Sequence, residues 1–263
     1  MKLIQSVSTK NHNVTIFQTI HAIKKAGFDG VFIAWRRNSD AISNQQQVEL
    51  CEKLQLEIQF AHLSYDGINN IWFEGEQGEQ LVSLYIQDLR ECKKYNINMV
   101  VMHLTSKYEV QQPNMLGVKR IQKIVDYAES LGIKVAFENT RQFGYLEYVF
   151  QHIKNKNAGI CFDVGHYHCH YNDKFNWHLF KDKILCVHFH DNDAQTDKHW
   201  LPFDGTVNFK EVIKNLKQTN YNNAITLENN YRNKYAEEMT VEEYYQESYK
   251  RAKRIEQMLT KAH

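Results

Sequence analysis

The fold class this sequence predicts is a (β/α)₈ barrel, α/β in class and a single domain, and three observations predict it. Eight short apolar runs of strand length alternate with longer amphipathic stretches along the whole chain. The 263 residues match the length of about 250 that such a barrel needs. No run is followed by the G-x-G-x-x-G or G-x-x-x-x-G-K-S/T loop that an open doubly wound sheet would use to cradle phosphate. No Pro-, Gly- or Ser-rich linker divides residues 1–263, and the only prolines are Pro113 and Pro202.

In order, the runs are LIQSVS from Leu3, GVFIAW from Gly30, IQFAHLS from Ile58, MVVMHLTS from Met99, KVAFENT from Lys134, AGICFDVGH from Ala158, ILCVHFHDN from Ile184 and AITLENN from Ala224. They are nearly continuous in apolar residues, as strands of a parallel sheet covered by helices must be. Between them, TIFQTIHAIKKAG ends at Gly27 and LGVKRIQKIVDYAESLG at Gly132, both glycine stop signals for a helix. Further helices are expected to begin near Asn44, Gln80, Tyr145, Asn176 and Asn208, with a last one from about Val241. Alternate strand residues point to opposite faces. With Glu138, Asp163, His188 and Glu228 inward, the small residues Ala136, Cys161, Cys186 and Thr226 also point inward. The large apolar Phe137, Phe162, Val187 and Leu227 then face the helix ring.

Composition narrows the function classes. Lys+Arg number 32 and Asp+Glu 31, so the basic excess usual in nucleic-acid binders is missing. The five cysteines, Cys51, Cys92, Cys161, Cys169 and Cys186, show no framework spacing and suit a reducing compartment as small buried fillers. The opening MKLIQSVSTKN is not a signal peptide. No stretch reaches the roughly 18 apolar residues of a membrane span. A soluble cytoplasmic protein is expected, with no membrane partner and with its oligomeric state open.

Six strands end in a residue able to bind a metal: His62, His103, Glu138, Asp163, His188 and Glu228. In a (β/α)₈ barrel that end is the catalytic face. His166 follows Asp163 by three, and Asp197 and His199 lie in the loop after the seventh strand. Singly, each is an ordinary polar residue at a strand end. Together they would meet at one mouth, where like charges raise one another's pKa unless a cation compensates them. Mixed carboxylate and imidazole ligands suit Zn²⁺, Mn²⁺, Fe²⁺ or Co²⁺ better than Ca²⁺, and the set could hold one to three ions. His190 shares parity with His188 and is a reserve ligand, and His168 and His170 are loop positions near the mouth. His12, His21, His152, His178 and His263 read as solvated. Tyr65, Trp72 and Phe73 cluster after His62. They serve equally well as core or as faces on which a ring stacks, and Tyr65 and Trp72 are the substrate-binding candidates.

Taken together, FAHLSYDGINNIW, VVMHLTS, VAFENT, CFDVGH, CVHFHDND, DKHWLPFDGTVNF and ITLEN resemble the xylose-isomerase-like barrel superfamily over nearly the whole chain. That group joins sugar and sugar phosphate isomerases and epimerases with the apurinic endonuclease IV family. In the isomerase branch the resemblance implies one metal on Glu138, Glu228, Asp163 and His188. The two glutamates would move protons beside a carbonyl, and His166 would touch the substrate. In the endonuclease branch it implies three zinc ions on His62, His103, Glu138, Asp163, His166, His188, Asp197, His199 and Glu228, cleaving abasic DNA.

Three features favour the isomerase branch and a small carbohydrate substrate over nucleic acid. SYDGINNIWFEGEQGEQ carries Asp66, Glu74, Glu76 and Glu79, which at the mouth would repel a DNA backbone. HFHDNDAQTDKHWLPFDG resembles the non-hydrolytic members. The pairs Lys24-Lys25 and Lys93-Lys94 fall on outer helices. Arg36-Arg37 and Arg141 could bind the phosphate of a sugar or of DNA.

Overall fold

The computed structural model describes residues 1–7, 13–37, 42–106, 110–142, 144–171 and 174–261. His12 and His263 lie outside them. The elements run β1 (Leu3–Ser6), α1 (Ile16–Ala26), β2 (Gly30–Trp35), α2 (Asn44–Lys53), β3 (Glu57–Leu63), a 3₁₀ turn (Ile68–Trp72), α3 (Glu76–Lys94), β4 (Met99–Met102) and α4 (Met115–Ser130). They continue with β5 (Lys134–Glu138), α5 (Tyr145–His152), β6 (Ala158–Asp163), α6 (Val164–His166), a π-helical turn (Tyr167–Tyr171) and α7 (Trp177–Phe180). The last are β7 (Ile184–His188), α8 (Phe209–Lys217), β8 (Ile225–Leu227), α9 (Lys234–Glu238) and α10 (Val241–Thr260). All eight expected strands form. The helix expected near Gln80 begins four residues earlier, with Glu76 and Glu79 in its first turn, where acidic side chains complement the helix dipole.

Every ladder is parallel, in the order β7-β6-β5-β4-β3-β2-β1-β8. Closure between β7 and β8 comes just past the end of β7. Phe189 N donates to Thr226 O at 2.8 Å and Glu228 N to Phe189 O at 3.0 Å. The seam therefore runs beside His188 and Glu228.

Strand parity separates two apolar regions. Inside the barrel, Phe32, Phe60, Val101, Ala136, Cys161 and Cys186 form a small core. Phe137, Phe162, Val187 and Leu227 join the larger layer between strands and helices. Each fully buried side chain of that size stabilises the fold by roughly 1.5–3 kcal/mol. Phe32 and Phe60 stack with centroids 4.7 Å apart, and the His188 ring lies on Phe32 at 5.0 Å. The inner core is thus an aromatic floor under the strand ends.

Helix ends follow their local chemistry. Thr15, Ser43 and Thr240 each form a capping box with the Gln or Glu three residues on. Gly27 ends α1 at φ 104°, a left-handed conformation that costs an L side chain free energy. α10 packs back onto β8, where Asn229 Nδ2 donates to the Tyr244 hydroxyl at 2.6 Å and anchors the residue after Glu228. Among the described residues, no helix is long and apolar enough to cross a membrane.

A candidate metal centre at the barrel mouth

All nine sequence-predicted ligand candidates meet at the C-terminal end of the barrel. Glu138, at the tip of β5, is the hub. Its Oε2 lies 3.0 Å from His62 Nε2 and 2.9 Å from His103 Nε2. Its Oε1 lies 3.1 Å from His166 Nδ1 and 3.6 Å from His188 Nδ1. His188 Nδ1 is also 3.5 Å from Asp163 Oδ2 and 3.2 Å from Glu228 Oε2. Asp197 Oδ2 sits between His166 Nε2 at 3.3 Å and His199 Nε2 at 3.1 Å.

Backbone anchors aim these groups. Asp163 caps α6, accepting the His166 amide at 2.6 Å. Asn139 clasps the Asp163 backbone from the neighbouring strand, accepting from its N–H at 2.6 Å and donating to its carbonyl at 2.9 Å. His62 Nδ1 donates to Leu63 O at 3.2 Å, and His199 Nδ1 to Glu228 O at 2.8 Å. Tying one ring nitrogen to a carbonyl leaves the other to face a carboxylate or a metal. In the loop after β7, Asp191 is fully buried and accepts from the amides of Asn192, Phe203, Gly205 and Val207. It fixes the turn that carries Asp197 and His199.

Could these residues hold a cation? One oxygen each from Glu138, Asp163 and Glu228, with one nitrogen of His188, all lie within 4.8 Å of one another. Two smaller groups meet the same limit: His62, His103 and Glu138, and His190, His199 and Glu228. Both His188 ring nitrogens, Glu228 Oε2 and Asp197 Oδ1 are buried without a hydrogen-bond partner. Folded proteins rarely leave such atoms unsatisfied, and three gathered carboxylates repel. A divalent cation answers both, so the donor set fits one.

The electrostatics point the same way. Burial opposes ionisation of Glu138, but His103, His166 and His188 outweigh it and hold the carboxyl well below its usual range. Burial likewise opposes ionisation of Asp163, and His166 and His190 prevail. For His188 burial disfavours charge, yet Glu228, Asp163 and Glu138 lift it well above the ordinary imidazole value. Burial pushes His103 down. The site is a dense alternation of acids and bases.

A cavity of about 820 Å³ opens above this cluster. Asp163 and His188 lie beneath it, and the other seven candidates line it. Tyr65 and Arg141 line it too, and the Tyr65 ring stacks on His103 at 4.4 Å.

Trp72 does not reach the cavity, contrary to expectation. Its indole is fully buried, donates to Leu104 O at 2.7 Å and meets Tyr145 edge-on at 5.2 Å. It lies so close to Gly117 of α4 that a Cβ there would overlap the ring. Of the acidic residues expected at the mouth, Asp66 lines the cavity, whereas Glu79 pairs with Arg120 and Lys123 of α4. Arg37 turns away to Asp88 at 2.7 Å. Phe73 is exposed.

Two residues play a larger part than their sequence suggests. His190, held only in reserve, places Nε2 3.1 Å from both Asp163 oxygens and stacks on His199 at 4.2 Å. Gly165 makes this approach possible, because a Cβ there would sit on the imidazole. Arg232 lines the cavity, and its one signal in the sequence is its place four residues after Glu228. His21, His152 and His178 are exposed as expected, and His168 reaches Thr206 Oγ1 at 2.8 Å. All five cysteines are free.

The chain is similar to an uncharacterized protein of Methanocaldococcus jannaschii, 30% identical over 210 residues, covering 69% of this chain and 67% of that one. Among solved structures, it superimposes on a D-tagatose 3-epimerase-like protein with a TM-score of 0.78, at 22% identity and covering 98% of both chains. It superimposes on the IolI protein with a bound zinc atom with a TM-score of 0.75, at 18% identity, covering 99% of this chain and 98% of that one. At these identities the structural likenesses show the fold. The family model described as xylose isomerase-like TIM barrel matches residues 20–255, and the chain belongs to that family.

Proposed function

We propose that this protein is a metal-dependent epimerase or isomerase of a small sugar, sugar phosphate or polyol derivative. The observation that carries the reading is the meeting of Glu138 and Glu228, from the ends of β5 and β8, at one nitrogen of His188. The epimerase-like neighbour in structure supports the substrate class. Glu138, Asp163, His188 and Glu228 would hold the ion, which in this reading supplies Lewis-acid charge to the adjacent oxygens of the substrate.

The chain's own residues do the rest. One glutamate takes the proton from the carbon beside the carbonyl. The C–H electron pair moves into the carbonyl, giving an enediolate. The other glutamate, protonated at the start, gives its proton to the opposite face of that carbon for epimerisation; for isomerisation it protonates the neighbouring carbon while the hydroxyl proton passes to the former carbonyl oxygen. His62, His103 and His166 orient Glu138 and shield its charge. Tyr65 offers an aromatic face at the mouth, and His166 and Arg141 contact the substrate.

A second reading, zinc-dependent cleavage of abasic DNA, is favoured by one observation: three groups of possible metal donors, sharing Glu138 and Glu228, meet at the mouth. Incubating the metal-loaded protein with a panel of ketoses and with an abasic duplex separates the two. New sugar epimers or isomers without strand nicking support the proposal. Chelator-sensitive nicking with unchanged sugars overturns it.

A further inference from the structure

We propose that the cavity is built for a substrate bearing an anionic group, a phosphate or a carboxylate, which Arg232 binds together with Arg141. The inference rests on the epimerase or isomerase reading and narrows its substrate class.

Arg232 stands in the loop between β8 and α9 and lines the cavity. Its Nη2 donates to Lys198 O at 3.0 Å, which fixes the guanidinium beside the Asp197–His199 limb of the cluster. Its Nε is buried with no acceptor. The acids that line the same cavity lie against histidines of the cluster or, for Asp66, a serine hydroxyl. Glu138 is bonded by His62 and His103, Asp197 lies between His166 and His199, and Glu228 lies 3.2 Å from His188 and 3.7 Å from His199. Asp66 accepts the Ser64 hydroxyl at 2.9 Å. Among the described residues, no ion pair neutralises Arg232.

Arg141 lies in the loop after β5. It follows Glu138 by three residues, lines the cavity and acts electrostatically on Tyr65 across it. Two guanidiniums, from the loops after β5 and β8, thus flank a centre whose own donors serve the carbonyl and hydroxyl oxygens of a sugar. A planar guanidinium matches the paired oxygens of a carboxylate or phosphate far better than a hydroxyl. The cavity of about 820 Å³ is of the size that encloses small ligands. It therefore has room for a sugar with its reacting end at the cluster and a charged far end at Arg232.

The test is calorimetric titration of the protein, with its bound metal, with D-fructose, D-fructose 6-phosphate and D-fructuronate, repeated with Arg232→Gln, Arg232→Lys and Arg141→Gln. We expect one of the two anionic ligands to bind at least about tenfold tighter than D-fructose. The tighter of the pair identifies phosphate or carboxylate as the group. Arg232→Gln should abolish the preference, Arg232→Lys should keep part of it, and Arg141→Gln should reduce it. Equal affinities for all three ligands, failure of both anionic ligands to bind, or a preference untouched by every variant overturns the inference. Binding is read without turnover. An anion preference with no sugar conversion would remove the epimerase or isomerase reading and leave this site standing. Efficient conversion of D-fructose with no gain from either anionic group would do the reverse.

Discussion

Glu138 and Glu228 are brought together by a single histidine. His188 Nδ1 lies 3.6 Å from Glu138 Oε1 and 3.2 Å from Glu228 Oε2, on a ring floored by Phe32. The two glutamates come from β5 and from the residue after β8, so only barrel closure unites them. If they form an acid–base pair, neither can be replaced by an amide, which holds its shape but neither takes nor gives the proton. Glu138→Gln and Glu228→Gln are each expected to lower turnover by roughly 10²–10⁴-fold. Steady-state rates, read with the metal content of each variant, check this; full turnover by either would end the assignment.

Removing the metal should soften the fold around the same residues. A ligand present at about 100 times its Kd stabilises the folded state by about 2.7 kcal/mol. For a chain of this size that corresponds to a fall in Tm of roughly 5–10 °C on chelation. Differential scanning calorimetry with and without chelator measures it. An unchanged Tm, with metal analysis confirming removal, would argue against a cation among Glu138, Asp163, His188 and Glu228.

His190 offers a sharper test of how the centre is held. It is bonded to both oxygens of Asp163, and partners of this kind fix the direction in which a ligand oxygen points. His190→Ala is expected to weaken metal affinity by roughly 10–100-fold. Titration of the metal-free protein reads the change. Unaltered affinity would make the contact one of packing alone.

The Trp72–Gly117 contact predicts a stability effect with no direct chemical component. Trp72→Ala removes a buried indole and its bond to Leu104 O, for an expected loss of about 3–5 kcal/mol. Gly117→Ala is expected to destabilise as well, because its Cβ would overlap the indole and α4 would have to shift. Urea denaturation of both variants checks the pair, and near-wild-type stability of either would contradict the packing described.

Much of this molecule was legible before folding. Strand parity placed Ala136, Cys161 and Cys186 inside and Phe137, Phe162 and Val187 outside, as the two cores show. That same alternation puts polar residues at matching strand ends on one rim. Trp72 was not legible, because its surroundings depend on where α4 sets Gly117. Nor was the company of His190, which depends on the missing side chain of Gly165, in the short helix after β6. Glu79 looked like an acid of the mouth, but α3 starts early and turns it to Arg120. Such errors share a cause: local pattern gives the element and its face, whereas the neighbour across the gap is set by packing.

The measurement that tests the central claim most directly is incorporation of solvent deuterium into ketoses in D₂O by the metal-loaded protein. NMR and mass spectrometry would read the product. One deuterium at a carbon beside the carbonyl is expected, together with appearance of the epimer or isomer, and neither is expected in Glu138→Gln. Sugars recovered unlabelled and unconverted across neutral, phosphorylated and carboxylated ketoses would contradict proton transfer between Glu138 and Glu228.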